Sequence, residues 1–178
     1  MSGPTGSFSR PPATLVRDAP LSPSDRHGME LALGEARQAV ARGEVPVGAV
    51  VISGGVVLAS AHNLTVALND PTAHAEILAI RSALEATGSD RLANATLYVT
   101  LEPCAQCAGA IVLAKVGRVV FGAWDPKAGM VGSVGDVVRH PLLNHQAEVL
   151  GGVMERECGE LLKAFFLAVR REALHEAR

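Results

Sequence analysis

One histidine and two cysteines are spaced in this sequence like the ligands of a reactive metal site. Cys104 and Cys107 follow His74 after about thirty residues, with a proline directly before the first cysteine. One imidazole and two thiolates can hold a tetrahedral zinc ion and leave its fourth position to water, whereas a structural site uses four protein ligands. A CxxC pair alone could be a redox pair or half of a closed zinc site. The sequence has no second such pair, so the spacing predicts one open zinc site.

Glu76 is the candidate proton carrier of this site. Zinc lowers the pKa of a bound water towards neutrality, and a nearby carboxylate can accept the proton and pass it on. Residues two apart on a helix barrel point in nearly opposite directions, so His74 and Glu76 can serve one site only at a helix tip. Asp70-Pro71 interrupts the chain just before them and allows a tip there. Taken alone, the pair could also be a capping histidine and a glutamate that balances the helix dipole.

The cysteines are expected to share the first turn of their own helix. Cys104 and Cys107 are three residues apart, which places them on one helix face, and Pro103 suits a helix start. The positive end of a helix favours thiolates, so we expect the pKa of both thiols to be lowered. Cys158 has no neighbouring cysteine and is expected to be a buried, unreactive thiol.

The elements that must position these residues follow from apolar periodicity and turn residues. The pattern predicts helices at 24–42, 73–86, 104–114 and 154–175, and strands at 47–52, 56–62, 96–101, 118–123 and 147–150. Ser24 or Asp25 is expected to cap the first helix, and Gly54-Gly55 to turn a hairpin. A hairpin followed by strands that alternate with helices predicts an α/β fold. We expect a three-layer α/β/α sandwich, in which a mixed sheet of about five strands carries helices on both faces.

Length and composition predict a single globular domain with a tail. The 178 residues are 48% hydrophobic and 19% charged, which suits a packed core. Residues 1–24 are rich in Pro, Ser and Gly and are predicted to be a flexible tail, and residues 25–178 to be the zinc-dependent domain. No apolar run approaches the ~20 residues of a membrane span, and no secretory signal is recognisable. Three cysteines fit a reducing compartment, so we expect a cytoplasmic protein with no membrane partner.

The net charge of −2 separates this chain from strongly basic nucleic-acid binders. A polyanion would therefore have to be held by a local cluster and not by the field of the whole molecule. Aromatic residues make up only 3% of the sequence, so few side chains are available for stacking on bases. Composition thus weakens a nucleic-acid function without excluding it.

Beyond the metal motif, the chain resembles the bacterial tRNA-specific adenosine deaminases (TadA type). Cytosine and guanine deaminases share the pattern HxE…PCxxC, so the flanking stretches carry the distinction. The similarity extends from about residue 30 to residue 171, and the stretches that carry it are 44–49, 69–77, 96–104, 117–123, 140–145 and 161–166.

This resemblance implies a cytidine-deaminase-like fold, one zinc ion per subunit and a homodimer. It implies conversion of adenosine to inosine at the wobble position of the tRNA anticodon, where an unstacked loop makes it cheap to extrude a base. By resemblance, Glu76 is the proton shuttle and His74, Cys104 and Cys107 are the ligands. Asn63 would contact the target nucleotide, although it could simply be a turn residue at a strand end. The positions that would line the base pocket or the anticodon loop are Pro46, Val47, His140 and Asn144.

Several positions depart from this family pattern. Leu167, Val169 and Trp124 stand where relatives often carry arginine, which leaves the details of RNA binding open. Phe165 and Phe166 could approach the RNA loop, but we expect them to close the core.

Two other functions remain compatible with the sequence. A deaminase of a free base or nucleoside, of guanine or cytosine type, would need the same zinc ligands and the same glutamate. A non-catalytic, zinc-containing RNA-binding subunit is the third possibility. Glu76 disfavours it, because a purely structural site has no use for that carboxylate.

Overall fold

The computed structural model describes residues 21–176, with four helices and five strands. Most of the predicted tail, residues 1–20, lies outside this range, and the predicted division into tail and domain remains an expectation. The elements are α1 (Pro23–Ala41), β1 (Gly48–Ser53), β2 (Val56–His62), α2 (Ala75–Thr87), β3 (Ala95–Leu101), α3 (Ala105–Leu113), β4 (Arg118–Ala123), β5 (Glu148–Gly151) and α4 (Glu155–Glu176).

The five strands form one mixed sheet in the order β2-β1-β3-β4-β5. Strand β1 pairs antiparallel with β2 and β3, whereas β3, β4 and β5 run parallel to one another. Positive φ angles at Gly54 and Gly55 (56° and 81°) close the β1–β2 hairpin, which confirms the predicted turn. The predicted strands are confirmed to within one or two residues at each end.

Two hydrophobic clusters, one on each face of the sheet, hold the helices in place. Helices α2 and α3 pack on one face through residues such as Ala79, Ile80 and Ile111. Helices α1 and α4 pack on the other face, where Met29 and Cys158 are buried. The three-layer α/β/α sandwich is therefore confirmed. Because α2 and α3 share a face, their N-termini can meet at one edge of the sheet.

The start of α1 differs from the sequence prediction. Ser22, and not Ser24 or Asp25, is the N-cap, and its hydroxyl accepts a hydrogen bond from the Asp25 backbone N–H at 3.0 Å. The Asp25 side chain turns inwards, because the Arg118 guanidinium on β4 binds it at 2.5 Å. The Tyr98 hydroxyl also donates to Asp25, at 3.2 Å. This buried ion pair ties α1 to the centre of the sheet, a long-range contact that local sequence does not reveal.

The second half of α4 extends away from the two clusters. Phe166 is 43% exposed, and Leu167 and Val169 are exposed as well. The expectation that Phe165 and Phe166 close the core is wrong, because neither belongs to a core cluster and their rings contact each other edge to face, 5.5 Å apart. Among the described residues, no helix is long and apolar enough to cross a membrane.

Candidate active site

The three predicted metal ligands converge at the N-termini of α2 and α3. His74 is the N-cap of α2, Cys104 is the N-cap of α3, and Cys107 lies in the first turn of α3. The Nδ1 atom of His74 lies 3.6 Å from the Sγ of Cys104 and 3.5 Å from the Sγ of Cys107. All three ligand atoms lie within 4.8 Å of one another.

The spacing of these atoms fits a tetrahedral zinc ion. With Zn–S bonds of about 2.3 Å and Zn–N bonds of about 2.0 Å, a tetrahedral ion holds its sulfur and nitrogen ligands ~3.5 Å apart. The two observed N···S distances agree with this value. The donor set also has the chemistry that zinc prefers, one imidazole nitrogen and two sulfurs. The described residues contain no fourth histidine, cysteine or carboxylate in the cluster.

Local turns explain why the ligands meet. The Asp70 carboxylate accepts hydrogen bonds from the backbone N–H and the hydroxyl of Thr72, at 2.8 and 2.7 Å, so the chain turns before α2. The Thr72 carbonyl then accepts bonds from the His74 N–H and from the Gln106 side chain, both at 2.8 Å. Gln106 lies between the two cysteines in sequence, so this bond joins the start of α3 to the segment that carries His74.

The protein groups at this site shift one another's pKa values strongly. A hydrogen bond from Cys107 and a second contact with His74 lower the pKa of the Cys104 thiol to about 3. The same bond, together with burial, raises the pKa of Cys107. The expectation of two lowered thiol pKa values is therefore confirmed for Cys104 and wrong for Cys107. The hydrogen bond with Cys104 raises the pKa of His74, although burial opposes it.

Glu76 is the second residue of α2 and is only 4% exposed. Its position beside the ligands confirms that His74 and Glu76 share a helix tip. Burial raises its pKa, against the attraction of His74 and a hydrogen bond to Cys107. A buried carboxyl group with a raised pKa can hold and release a proton nearer neutral pH, which suits general acid–base chemistry.

Asn63 connects the hairpin to the helix that carries His74. Its side-chain oxygen accepts a hydrogen bond from the Ala75 backbone N–H at 2.9 Å, in the first turn of α2. Within residues 21–176 its amide nitrogen has no hydrogen-bond partner. Pro46 and Val47 are buried next to it, and the Asn63 backbone N–H donates to the Val47 carbonyl at 3.1 Å. The structure therefore brings these three predicted residues to the edge of the site.

His140 and Asn144 lie in the loop before β5. The His140 Nδ1 accepts a bond from the Leu142 backbone N–H at 3.3 Å, and Asn144 is exposed and accepts a bond from Lys115. Within the described part of the chain, neither residue is hydrogen-bonded to the metal ligands or to Glu76. Their predicted contact with substrate stays a prediction.

Two buried carboxylates near the site were not singled out from the sequence. Glu44 is fully buried and accepts bonds from the backbone N–H groups of Val66 and Ala67 and from the Thr65 hydroxyl. It thereby holds the loop that follows Asn63. Glu102 does the same for the loop after β4. The signal that the two share is a glutamate one or two residues before a proline, Pro46 or Pro103.

Comparison with known proteins covers most of the chain. Residues 24–170 match the family of MafB19-like deaminases. The tRNA-specific adenosine deaminase of Bacillus subtilis (strain 168) is 51% identical over 144 residues, which cover 81% of this chain and 89% of that relative.

Solved structures of deaminases also align with this chain. A structure from biochemical and structural studies of A-to-I editing by tRNA:A34 deaminases at the wobble position of transfer RNA aligns with a TM-score of 0.74 at 51% identity. The alignment covers 76% of this chain and 99% of that chain. A guanine deaminase from Bacillus subtilis aligns with a TM-score of 0.53 at 37% identity and covers 55% of this chain and 63% of that one.

Proposed function

The chain belongs to the tRNA-specific adenosine deaminase family, and from that premise we propose that it converts adenosine to inosine at the wobble position of tRNA anticodon loops by zinc-dependent hydrolysis. The observation that carries the proposal is the cluster of His74, Cys104 and Cys107 with the buried Glu76 at the same helix tips. The reacting part of adenine is a cyclic amidine, in which C6 carries the amino group and is bonded to a ring nitrogen.

His74, Cys104 and Cys107 would hold one zinc ion per subunit. When bound, zinc supplies Lewis acidity that brings the pKa of water near neutrality. The two thiolates would balance the charge of the ion, and the neutral imidazole would complete the protein's share of the ligands. Among the described residues, no fourth protein ligand joins this cluster.

Glu76 would move every proton of the reaction. It takes one proton from the attacking water and delivers it to N1 of the purine as the C6–O bond forms. It then takes the proton of the new hydroxyl group and delivers it to the amino group. The C6–N6 bond breaks, ammonia leaves, and C6 keeps the carbonyl oxygen of inosine. The overall change, adenosine plus water to inosine plus ammonia, is balanced.

The substrate contacts are proposed from position. The Asn63 amide nitrogen, which has no hydrogen-bond partner among the described residues, can donate to the extruded nucleotide, since the amide oxygen is engaged by α2. Pro46 and Val47 lie beside Asn63 and would form part of the base pocket. His140 and Asn144 would contact the anticodon loop further out. An anticodon loop suits this site because its bases are already unpaired.

The remaining expectations concern the state of the protein. We propose a homodimer in the cytoplasm, where tRNA is available and thiols stay reduced. Size-exclusion chromatography with light scattering tests the dimer, and a monomer that is fully active on tRNA would contradict it.

The deciding experiment compares an anticodon stem-loop RNA that carries a wobble adenosine with free guanine, cytosine and adenosine. We expect inosine and an equal amount of ammonia from the stem-loop only, measured by mass spectrometry and an ammonia assay. A stem-loop with guanosine at the wobble position and the Glu76→Ala variant are the controls. Deamination of a free base without any of the stem-loop would replace our proposal with the free-base alternative, and RNA binding without turnover would favour a non-catalytic subunit.

A further inference from the structure

Glu102 is a buried carboxylate that the proposed chemistry does not use. It lies between the end of β3 and the ligand Cys104, and it is 2% exposed. None of the ion pairs among the described residues includes it. A buried carboxylate without a cation is costly unless hydrogen bonds satisfy its oxygens. The donors that satisfy Glu102 therefore show what the residue holds.

Within residues 21–176, the donors seen at the Glu102 carboxylate come from one loop, residues 125–133. The Asp125 backbone N–H donates to Oε2 at 3.0 Å, and the Ser133 hydroxyl donates to the same oxygen. The backbone N–H groups of Val131 and Ser133 donate to Oε1 at 3.1 and 2.9 Å. One side chain thus fixes both ends of a nine-residue segment.

The same loop lies directly against the metal-ligand segment. Gly129 pairs with Cys104 in an isolated antiparallel bridge, and the Met130 N–H donates to the Pro103 carbonyl at 2.9 Å. A side chain at position 129 would place its Cβ 2.3 Å from the Glu102 carboxylate. The close approach of loop and carboxylate therefore requires glycine there.

We propose that Glu102 is a positioning residue for substrate, which fixes the 125–133 loop as a wall of the pocket beside Cys104. This inference rests on the proposed function and deepens it. The side-chain hydrogen bonds of Glu102 go to the loop and not to the side chains of the metal ligands or Glu76, so we expect loosening of the loop to leave the chemistry in place. What changes is the surface that a bound nucleotide meets next to the ligands.

The role requires a carboxylate and not merely a polar side chain. Two carboxylate oxygens accept the four donors of the loop, whereas a glutamine offers one acceptor oxygen and an NH₂ group that only donates. In Glu102→Gln an NH₂ group replaces one of the two carboxylate oxygens. This NH₂ group then faces either the backbone N–H of Asp125 or those of Val131 and Ser133, and two donors cannot form a hydrogen bond. The loop should detach locally while the buried amide still fills the same volume.

Hydrogen exchange tests the contact independently of activity. In Glu102→Gln we expect the amides on at least one side of the loop, either Asp125 or Val131 with Ser133, to exchange ~10-fold faster than in the wild type, because that side loses its acceptor oxygen. Asp25→Asn is the matched control, since it also neutralises a buried, hydrogen-bonded carboxylate, but on the α1 face of the sheet. Unchanged exchange of these three amides in Glu102→Gln would overturn the proposal.

Steady-state kinetics on the wobble-adenosine stem-loop tests the consequence. In Glu102→Gln, KM should rise ~10-fold or more while kcat stays within ~3-fold of the wild type and zinc stays at one per subunit, because a binding surface and not the chemistry is lost. Gly129→Ala disturbs the same contact from the loop side and should raise KM similarly. The two changes combined should raise KM by less than the product of their separate effects. Asp25→Asn should leave KM unchanged.

The outcomes separate this inference from the proposed function. A fall in kcat with KM unchanged, or loss of zinc from Glu102→Gln, would refute the positioning role. If Glu102→Gln fails to fold, Gly129→Ala decides the same question through the same two measurements. A wild-type protein that is inactive on the stem-loop would refute the proposed function, whereas the exchange of the loop amides would still decide whether Glu102 holds the loop.

Discussion

Replacing Glu76 with glutamine should separate catalysis from stability. The variant keeps the size and the polarity of the side chain but removes its ability to take and release protons. Loss of a general acid–base group costs at least ~10²-fold in rate, which corresponds to about 2.7 kcal/mol of activation free energy. Because Glu76 would carry all the proton transfers, we expect the loss in kcat to reach or exceed this value.

The stability of the same variant should barely change. Glu76 is almost fully buried, and burial disfavours its ionised form, so a neutral amide at this position avoids a desolvation cost. We expect the free energy of unfolding of the zinc-loaded protein to fall by no more than about 1 kcal/mol.

Three measurements on one preparation check this prediction. Inosine formation in the stem-loop gives kcat, urea unfolding gives the stability, and elemental analysis gives the zinc content. We expect a large loss of kcat, one zinc per subunit and a free energy of unfolding within about 1 kcal/mol of the wild type. A turnover equal to that of the wild type would refute the assignment of Glu76, and a variant without zinc would show that the glutamate holds the metal instead.

The other predictions concern the metal, pH and packing. Cys107→Ala should release zinc and destabilise the fold, because metal binding and folding are coupled. A chelating dye measures the zinc released, and thermal unfolding measures the loss of stability. A variant that retains stoichiometric zinc would contradict the ligand set. Burial alone would raise the pKa of Glu44, but the bonds from the N–H groups of its loop outweigh burial and hold this pKa below the ordinary 4.5. Glu44 therefore contributes stability above pH 4.5, and this stability is lost as the pH falls through the folded-state pKa of Glu44. The difference in unfolding free energy between the wild type and Glu44→Gln, measured by urea unfolding, should shrink as the pH falls below 4.5. Gly48→Ala should cost about 3 kcal/mol, since the added Cβ would lie 2.1 Å from the Ala32 carbonyl oxygen on α1, and a Tm equal to that of the wild type would contradict this packing.

Short-range signals account for what the sequence predicted well. Short apolar, β-branched runs and the Gly54-Gly55 turn located the strands, and the break at Asp70-Pro71 located the helix tip that His74 and Glu76 share. The order of a hairpin and alternating helices was enough to predict three layers, because each element has only one way to bury its apolar face.

Long-range contacts account for what the sequence did not reveal. The N-cap of α1 was misplaced because Arg118, more than ninety positions later, draws the Asp25 carboxylate into the sheet. The two thiol pKa values split because the cysteines bond to each other, which spacing alone does not show. Phe166 fits the helical period of a core residue, yet α4 extends beyond the sheet that would cover it.

The attachment of the 125–133 loop by both of its ends to the Glu102 carboxylate has a consequence for how such proteins diversify. The reacting groups stand on two helix ends that are tied to each other, while the neighbouring wall is a separate stretch of chain. Substitutions accumulating between Asp125 and Ser133 can therefore redirect the enzyme towards a new molecule while its reaction is inherited unchanged.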